Sequence, residues 1–177
     1  MATQQKHSDT ETKATLTLPE ALTRAMAYTN AGEPEKGERI LQEILKVKPD
    51  QFDALHILGV QKAMKGAYEE AIGLFVKALK SNPKSSEAFS NLGNALQGAK
   101  RNEEALASYD KSLNIKPDHA ETLCNRGVVL RHLGRHDDAI KSYERALAIK
   151  PEHATAIKNR DNLLKEMKRP ASISKAG

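Results

Sequence analysis

Apolar side chains recur along this chain at intervals of three and four. Leu55, Leu58 and Gly59 form one such stretch, and Ala71, Ile72, Phe75, Ala78 and Leu79 form the next. That interval lays one apolar stripe along a helix, so the pattern predicts pairs of amphipathic helices joined by turns. The pairs repeat at a fixed period, because Pro49, Pro83, Pro117 and Pro151 are each 34 residues apart. In that register the chain divides without insertion or deletion into units 18–51, 52–85, 86–119 and 120–153, followed by a half-unit at 154–168. Neither helix of a unit can bury its stripe alone. The units must therefore stack, and four with a cap exceed the roughly three that a repeat array needs.

Particular positions of the unit carry particular physics. Position eight is Ala25, Gly59, Gly93 and Gly127, and position twenty is Gly37, Ala71, Ala105 and Ala139; small residues at both let the two helices approach closely. Position twenty-four is Leu41, Phe75, Tyr109 and Tyr143, so the large side chains are spent on packing. Position fifteen is Gly32, Gly66, Lys100 and Gly134, where the first helix must stop in a left-handed residue. Lys100 departs from that rule. The proline at position thirty-two ends the second helix, and Asp118 followed by Glu121 reads as a capping box for the helix after it. Residues 154–168 keep Ile157, Leu163 and Leu164 for packing and turn charge outward, as a cap must. The polar residues 1–17 and the aperiodic residues 169–177 are expected to be disordered tails.

Composition narrows the functional classes. Hydrophobic residues make up 39% of the chain and aromatics only 4%, enough for a thin helical core. The net charge of +5 is spread over interleaved acids and bases, which describes a solvated helix face rather than a nucleic-acid footprint with stacking aromatics. Cys124 is the single cysteine, so no internal disulfide can form and a reducing cytoplasm suits the chain. No apolar leader segment and no stretch of roughly 18 apolar residues occurs, which gives no support to secretion or to a membrane partner.

The third unit, with Phe89, Leu92, Gly93, Leu96, Ala105, Tyr109 and Pro117 at the signature positions, resembles the tetratricopeptide-repeat family. The resemblance implies an all-α fold: a right-handed superhelix of four 34-residue helix–turn–helix repeats plus a C-terminal capping helix. Departures fall at Ala21, Arg24 and Ile44 in the first unit, at Lys62 in the second and at Arg126 in the fourth, and they predict a looser first unit and locally altered packing. Segments such as 53–60 and 104–110 also resemble the repeats of bacterial proteins related to O-linked N-acetylglucosamine transferases. That likeness implies a binding role and no glycosyl transfer.

In such a fold the first helix of each unit lines a concave groove that holds extended peptides. Position six reads Thr23, Ile57, Asn91, Asn125 and Asn159, with Asn94 and Asn162 one turn further on at position nine. An asparagine amide donates and accepts, so a row of them can pair with the backbone of an extended chain whatever its side chains. The transferase-like repeats use a similar ladder, which makes these five asparagines the foremost peptide-binding candidates. The same residues could instead brace a neighbouring loop. Other groove positions offer Leu22, Met26, Ile57, Val60, Ala63 and Met64 at the N-terminal end, next to His56. Ser90, Gln97, Cys124, Arg131, His132, Lys158 and Lys165 follow at the C-terminal end. One end would grip apolar side chains and the other polar or acidic ones, although methionines also serve as core filler.

The expected partner is thus another protein, as an extended peptide or an amphipathic helix, and self-association through the apolar groove is a further possibility. The alternatives are a non-catalytic accessory subunit of a separately encoded glycosyltransferase and an RNA-binding helical repeat. The two-carboxylate clamp for chaperone tails is not matched, since Leu22 and Met26, then His56 and Val60, stand at its places. No catalytic constellation, cofactor motif or metal site is expected. His132 and His136 are split by Gly134, His119 and His153 sit one repeat apart, and Cys124 has no base beside it in the pattern.

Overall fold

Helices form where the apolar stripes fall and stop where the turn residues stand. The computed structural model describes residues 16–168, and among these it contains nine helices and no strand. They are α1 (Leu18–Asn30), α2 (Pro34–Val47), α3 (Phe52–Met64), α4 (Tyr68–Ser81), α5 (Ser86–Gly98), α6 (Asn102–Ile115), α7 (Ala120–His132), α8 (His136–Ile149) and α9 (Ala154–Lys168). The odd-numbered helices begin 34 residues apart. Each of α3, α5 and α7 packs on the even helix of its own pair and on the even helix before it, α1 packs on α2 and α9 on α8, and successive odd helices also touch, so the stack is an all-α superhelix. The tails expected at 1–17 and 169–177 lie outside the described residues except for Leu16 and Thr17. Thr17 caps α1, its N–H donating to Glu20 Oε2 at 2.8 Å.

The close approach within each pair has a specific cause. The ring of Phe75, Tyr109 or Tyr143 lies flat against the glycine of the same unit, and all three side chains are fully buried. A Cβ built on Gly59 would sit 2.8 Å from the Phe75 ring, and one on Gly93 or Gly127 would sit 2.5 Å from the tyrosine ring. The aromatic thus fills space inside its own helix pair. At position fifteen the chain turns through the left-handed region at Gly32, Gly66 and Gly134, with φ of 79°, 77° and 72°. Lys100 adopts the same conformation at φ 61°, the one non-glycine residue among those described to do so.

Two of the charged departures from the repeat pattern, Lys62 and Arg126, are answered by partners. Lys62 meets Glu38 at 2.8 Å and Glu70 at 3.2 Å. Arg126 donates to Asp110 Oδ1 and to Ser142 Oγ, both at 2.6 Å. In the first unit Ala25, Gly37 and Leu41 are the buried residues, and Ala25 and Leu41 cluster with Ala54 and Leu58 of α3 apart from the main core that runs from α4 to α9.

The cap expected at Asp118 is corrected by the structure. The 34-residue period starts α7 at Ala120, so the capping position is His119, whose Nδ1 accepts from the Thr122 N–H at 3.3 Å. Gln51, Ser85 and His153 stand at the same position of their units and accept in the same way, from the N–H of Ala54, Ala88 and Ala156. Glu121, assigned to the capping box, instead meets His153 Nε2 at 3.0 Å across the repeat junction.

Candidate functional site

The odd-numbered helices line up side by side and form one continuous face. Two hollows lie on it. The first, about 430 Å³, opens between α1 and α3 and is walled by Met26, Ile57, Val60 and Met64, with His56 and Glu87 at its inner edge. Met26 and Met64 are 50% and 75% exposed, so neither is core filler. The second, about 520 Å³, opens between α5 and α7 and is polar, lined by Glu87, Asn91, Asn94, Lys116, His119 and Glu121 among others.

Within the polar strip the asparagines are tied to one another's neighbours. The Asn91 amide nitrogen lies 3.0 Å from His56 Nε2, and that of Asn125 donates to Asn94 Oδ1 at 3.0 Å. Asn94 also receives the Tyr109 hydroxyl at 2.7 Å, with Gln97 Oε1 3.0 Å from the same hydroxyl. His56 must be neutral at Nε2 to accept from Asn91. Its surroundings enforce this: the ring stacks on Phe52 at 5.6 Å and tilts against Phe75 at the same distance, and burial pushes its pKa down. Asn91 and Asn125 are half-buried and each keeps its carbonyl oxygen unpaired among the described residues, while Asn159 and Asn162 make no side-chain hydrogen bond there. The bonded amides therefore brace helix against helix with their nitrogens and keep their carbonyl oxygens uncommitted among the described residues.

Other expected positions divide. Lys158 is exposed without an ion-pair partner among the described residues, and Arg131 holds Glu166 at 2.8 Å. Cys124 lines neither hollow, whereas Ser90 lines the polar one. Cys124 is fully buried and burial raises its pKa to about 11, while Ser90 is buried against the Thr122 hydroxyl at 2.8 Å. At position five Ser90 and Cys124 are buried, whereas His56 is half-buried at the edge of the apolar hollow and Lys158 on α9 is exposed. Three carboxylates were missed by the sequence reading: Asp53, Glu87 and Glu121 occupy position two at the same 34-residue spacing as the asparagines. Glu87 borders both hollows and has no ion-pair partner among the described residues. Gln61 was missed as well. It is buried in the wall of the apolar hollow, its Nε2 donating to Thr29 Oγ1, and its Oε1 has no partner among the described residues.

Among the described residues no cluster of three or more His, Cys, Asp or Glu could hold a metal ion, and no helix is long and apolar enough to cross a membrane. Two family models, each described as tetratricopeptide repeat, match residues 22–86 and 84–152. No curated protein matches the chain. Of the solved structures, a crystal structure of MamA protein aligns with a TM-score of 0.73 at 24% identity, covering 85% of this chain and 90% of that one. A second crystal structure of MamA gives 0.71 at 22%, covering 81% and 94%. MamA 41-end from Desulfovibrio magneticus RS-1 gives 0.70 at 17%, covering 76% of each. At these identities the likeness is one of fold.

Proposed function

This chain belongs to the tetratricopeptide-repeat family, and from that premise we propose that it is a protein-binding module whose odd-helix groove holds one segment of a partner polypeptide. The observation that carries the reading is the pair of adjoining hollows on one face, apolar at α1 and α3 and amide-lined at α5 and α7. Exposed methionines beside a half-buried Ile57 and Val60 form an apolar patch that a partner side chain would cover. The free carbonyl edges of Asn91 and Asn125 accept backbone N–H groups of an extended segment without regard to its sequence. Side-chain preference comes from the rims. Glu87 favours a basic or neutral residue between the hollows, and Lys158 favours an acidic one at the α9 end.

The test is capture by the immobilised chain and by the triple variant Asn91→Ala, Asn125→Ala, Asn159→Ala, together with Met64→Glu, each first shown to keep wild-type helicity. Losing amide contacts or the apolar anchor at roughly 1–3 kcal/mol each corresponds to a drop in affinity of about tenfold or more. Equal capture by the folded triple variant and by Met64→Glu would remove the groove from the function.

A further inference from the structure

The outer end of the first repeat exposes a surface that every later repeat keeps covered. At each junction an odd helix packs on the even helix before it, as α3 does on α2 and α5 on α4, and α1 has no such helix among the described residues. In its place lies a cleft of about 600 Å³ walled by Leu16, Leu18, Ala21, Ile40, Ile44 and Val47. Leu16 is 43% and Val47 82% exposed. The cleft is deep because position four, filled by Leu55, Phe89 and Leu123 in the later units, is only Ala21 here. Ile40, Ile44 and Val47 follow one another at four and three residues as one stripe of α2, of which Ile40 and Ile44 are only partly buried against the first-repeat cluster and Val47 stands exposed.

Charge identifies what would lie there. Arg24, Lys36 and Arg39 line a second hollow that shares Leu16 and Ile40 with the cleft, and Lys48 stands at the cleft's other edge. Lys36 is held by Glu33, and Glu43, the one carboxylate of the cleft, is held by Lys46. Arg24 lies over the Tyr28 ring at 5.9 Å. Arg24, Arg39 and Lys48 have no carboxylate within ion-pair distance among the described residues, whereas the half-buried basic side chains at later junctions do, Lys62 with Glu38 and Arg126 with Asp110.

We propose that this end face is a second binding surface, separate from the groove, and that it takes an acidic amphipathic α-helix of a partner protein. The apolar side chains of that helix fill the cleft as a preceding even helix would, and its flanking carboxylates meet Arg24, Arg39 and Lys48. Two copies of this chain docked end to end would bring those three cations against their own duplicates, which opposes self-association here. Residues 1–15 contribute Met1 as their only large apolar side chain, so they lack the stripe to fill the cleft.

A displayed library of random 15-residue peptides, selected on the full chain, tests the proposal. Selected clones are re-measured on Val47→Glu and Arg39→Glu at the end face and on Met64→Glu in the groove, all at exposed positions and each verified by thermal melting. The expected result is a set of clones that lose at least tenfold in affinity on both end-face variants, keep wild-type affinity for Met64→Glu, and carry apolar residues three and four apart with an excess of Asp and Glu. The proposal is overturned if no clone responds to Val47→Glu, or if the responding clones are neutral or basic. It is equally overturned if the wild-type chain sediments as a dimer that Val47→Glu dissociates, or binds phosphatidylserine vesicles through Val47. Clones that respond to Met64→Glu alone leave the groove standing and count against the end face, so the two surfaces fail separately.

Discussion

Adding one methyl group at two glycines should move stability in opposite directions. Gly73 and Gly127 both lie inside helices, α4 and α7, where replacing glycine by alanine gains about 1 kcal/mol of helix propensity. At Gly73 a new Cβ meets nothing within 4 Å, so Gly73→Ala should keep that gain. At Gly127 it would lie 2.5, 2.7 and 2.9 Å from three atoms of the Tyr143 ring, about 1 Å inside ordinary carbon contact. The ring is fully buried and cannot swing to solvent, so the helices of the fourth unit must separate. Overpacking of this kind costs about 1–3 kcal/mol, which cancels the propensity gain and leaves Gly127→Ala up to about 2 kcal/mol below wild type. At about 2–4 °C per kcal/mol for a chain of this size, Gly73→Ala should raise the melting temperature by about 2–4 °C and Gly127→Ala lower it by up to about 8 °C. Thermal melts followed by circular dichroism at 222 nm read both. A rise in Gly127→Ala equal to that in Gly73→Ala would refute the ring-on-glycine contact as the element that sets helix spacing.

Three further outcomes follow from single residues. Lys100→Gly should stabilise by about 1 kcal/mol, because Lys100 is held at φ 61° where a side chain is strained, and a lower denaturation midpoint in urea would contradict this. His119→Ala should destabilise by about 1 kcal/mol through loss of the α7 cap, while the exposed His136→Ala should be near neutral; equal melts would contradict the capping role. The Lys62 ammonium hydrogen-bonded to Glu38 holds that carboxyl below its usual 4.5, against the opposing effect of burial. A depressed carboxyl contributes stability above its unfolded value and loses it as the folded form protonates, so the deficit of Glu38→Gln relative to wild type should be full at pH 6 and shrink below about pH 4.5. A deficit that stayed constant down to pH 3 would refute the ion pair.

The helices were legible in the sequence because the 34-residue period ties each stripe to the next, so an error in one unit is exposed by the other three. Helix starts at Leu18, Phe52, Ser86, Ala120 and Ala154 coincide with the units read from the prolines. The cap at Asp118 was misread because Asp-x-x-Glu is a local signal, and the period, which places the cap at His119, overrides it. Site residues were harder to read. The sequence puts Cys124 and Ser90 at groove positions, yet side-chain orientation at a helix contact depends on the crossing geometry: Cys124 is fully buried, and Ser90, which borders the polar hollow, is committed to the Thr122 hydroxyl of α7. The asparagines were found by spacing, but their bonds to His56 and Asn94 join residues 35 and 31 apart, pairings that only the stacked structure reveals. Asp53, Glu87 and Glu121 carried the same periodic signal, but acids on a helix read as solvated face and Glu121 reads as part of a capping box.

The most direct measurement places a photo-reactive benzoylphenylalanine at Ile57, inside the groove, and in a second protein at Val76, exposed on α4. If the odd-helix face holds partner polypeptide, irradiation in cell extract should give a discrete cross-linked protein from the Ile57 probe that excess unlabelled chain competes away, and none from Val76. Cross-linking that is equal at the two sites, or confined to Val76, would contradict the account.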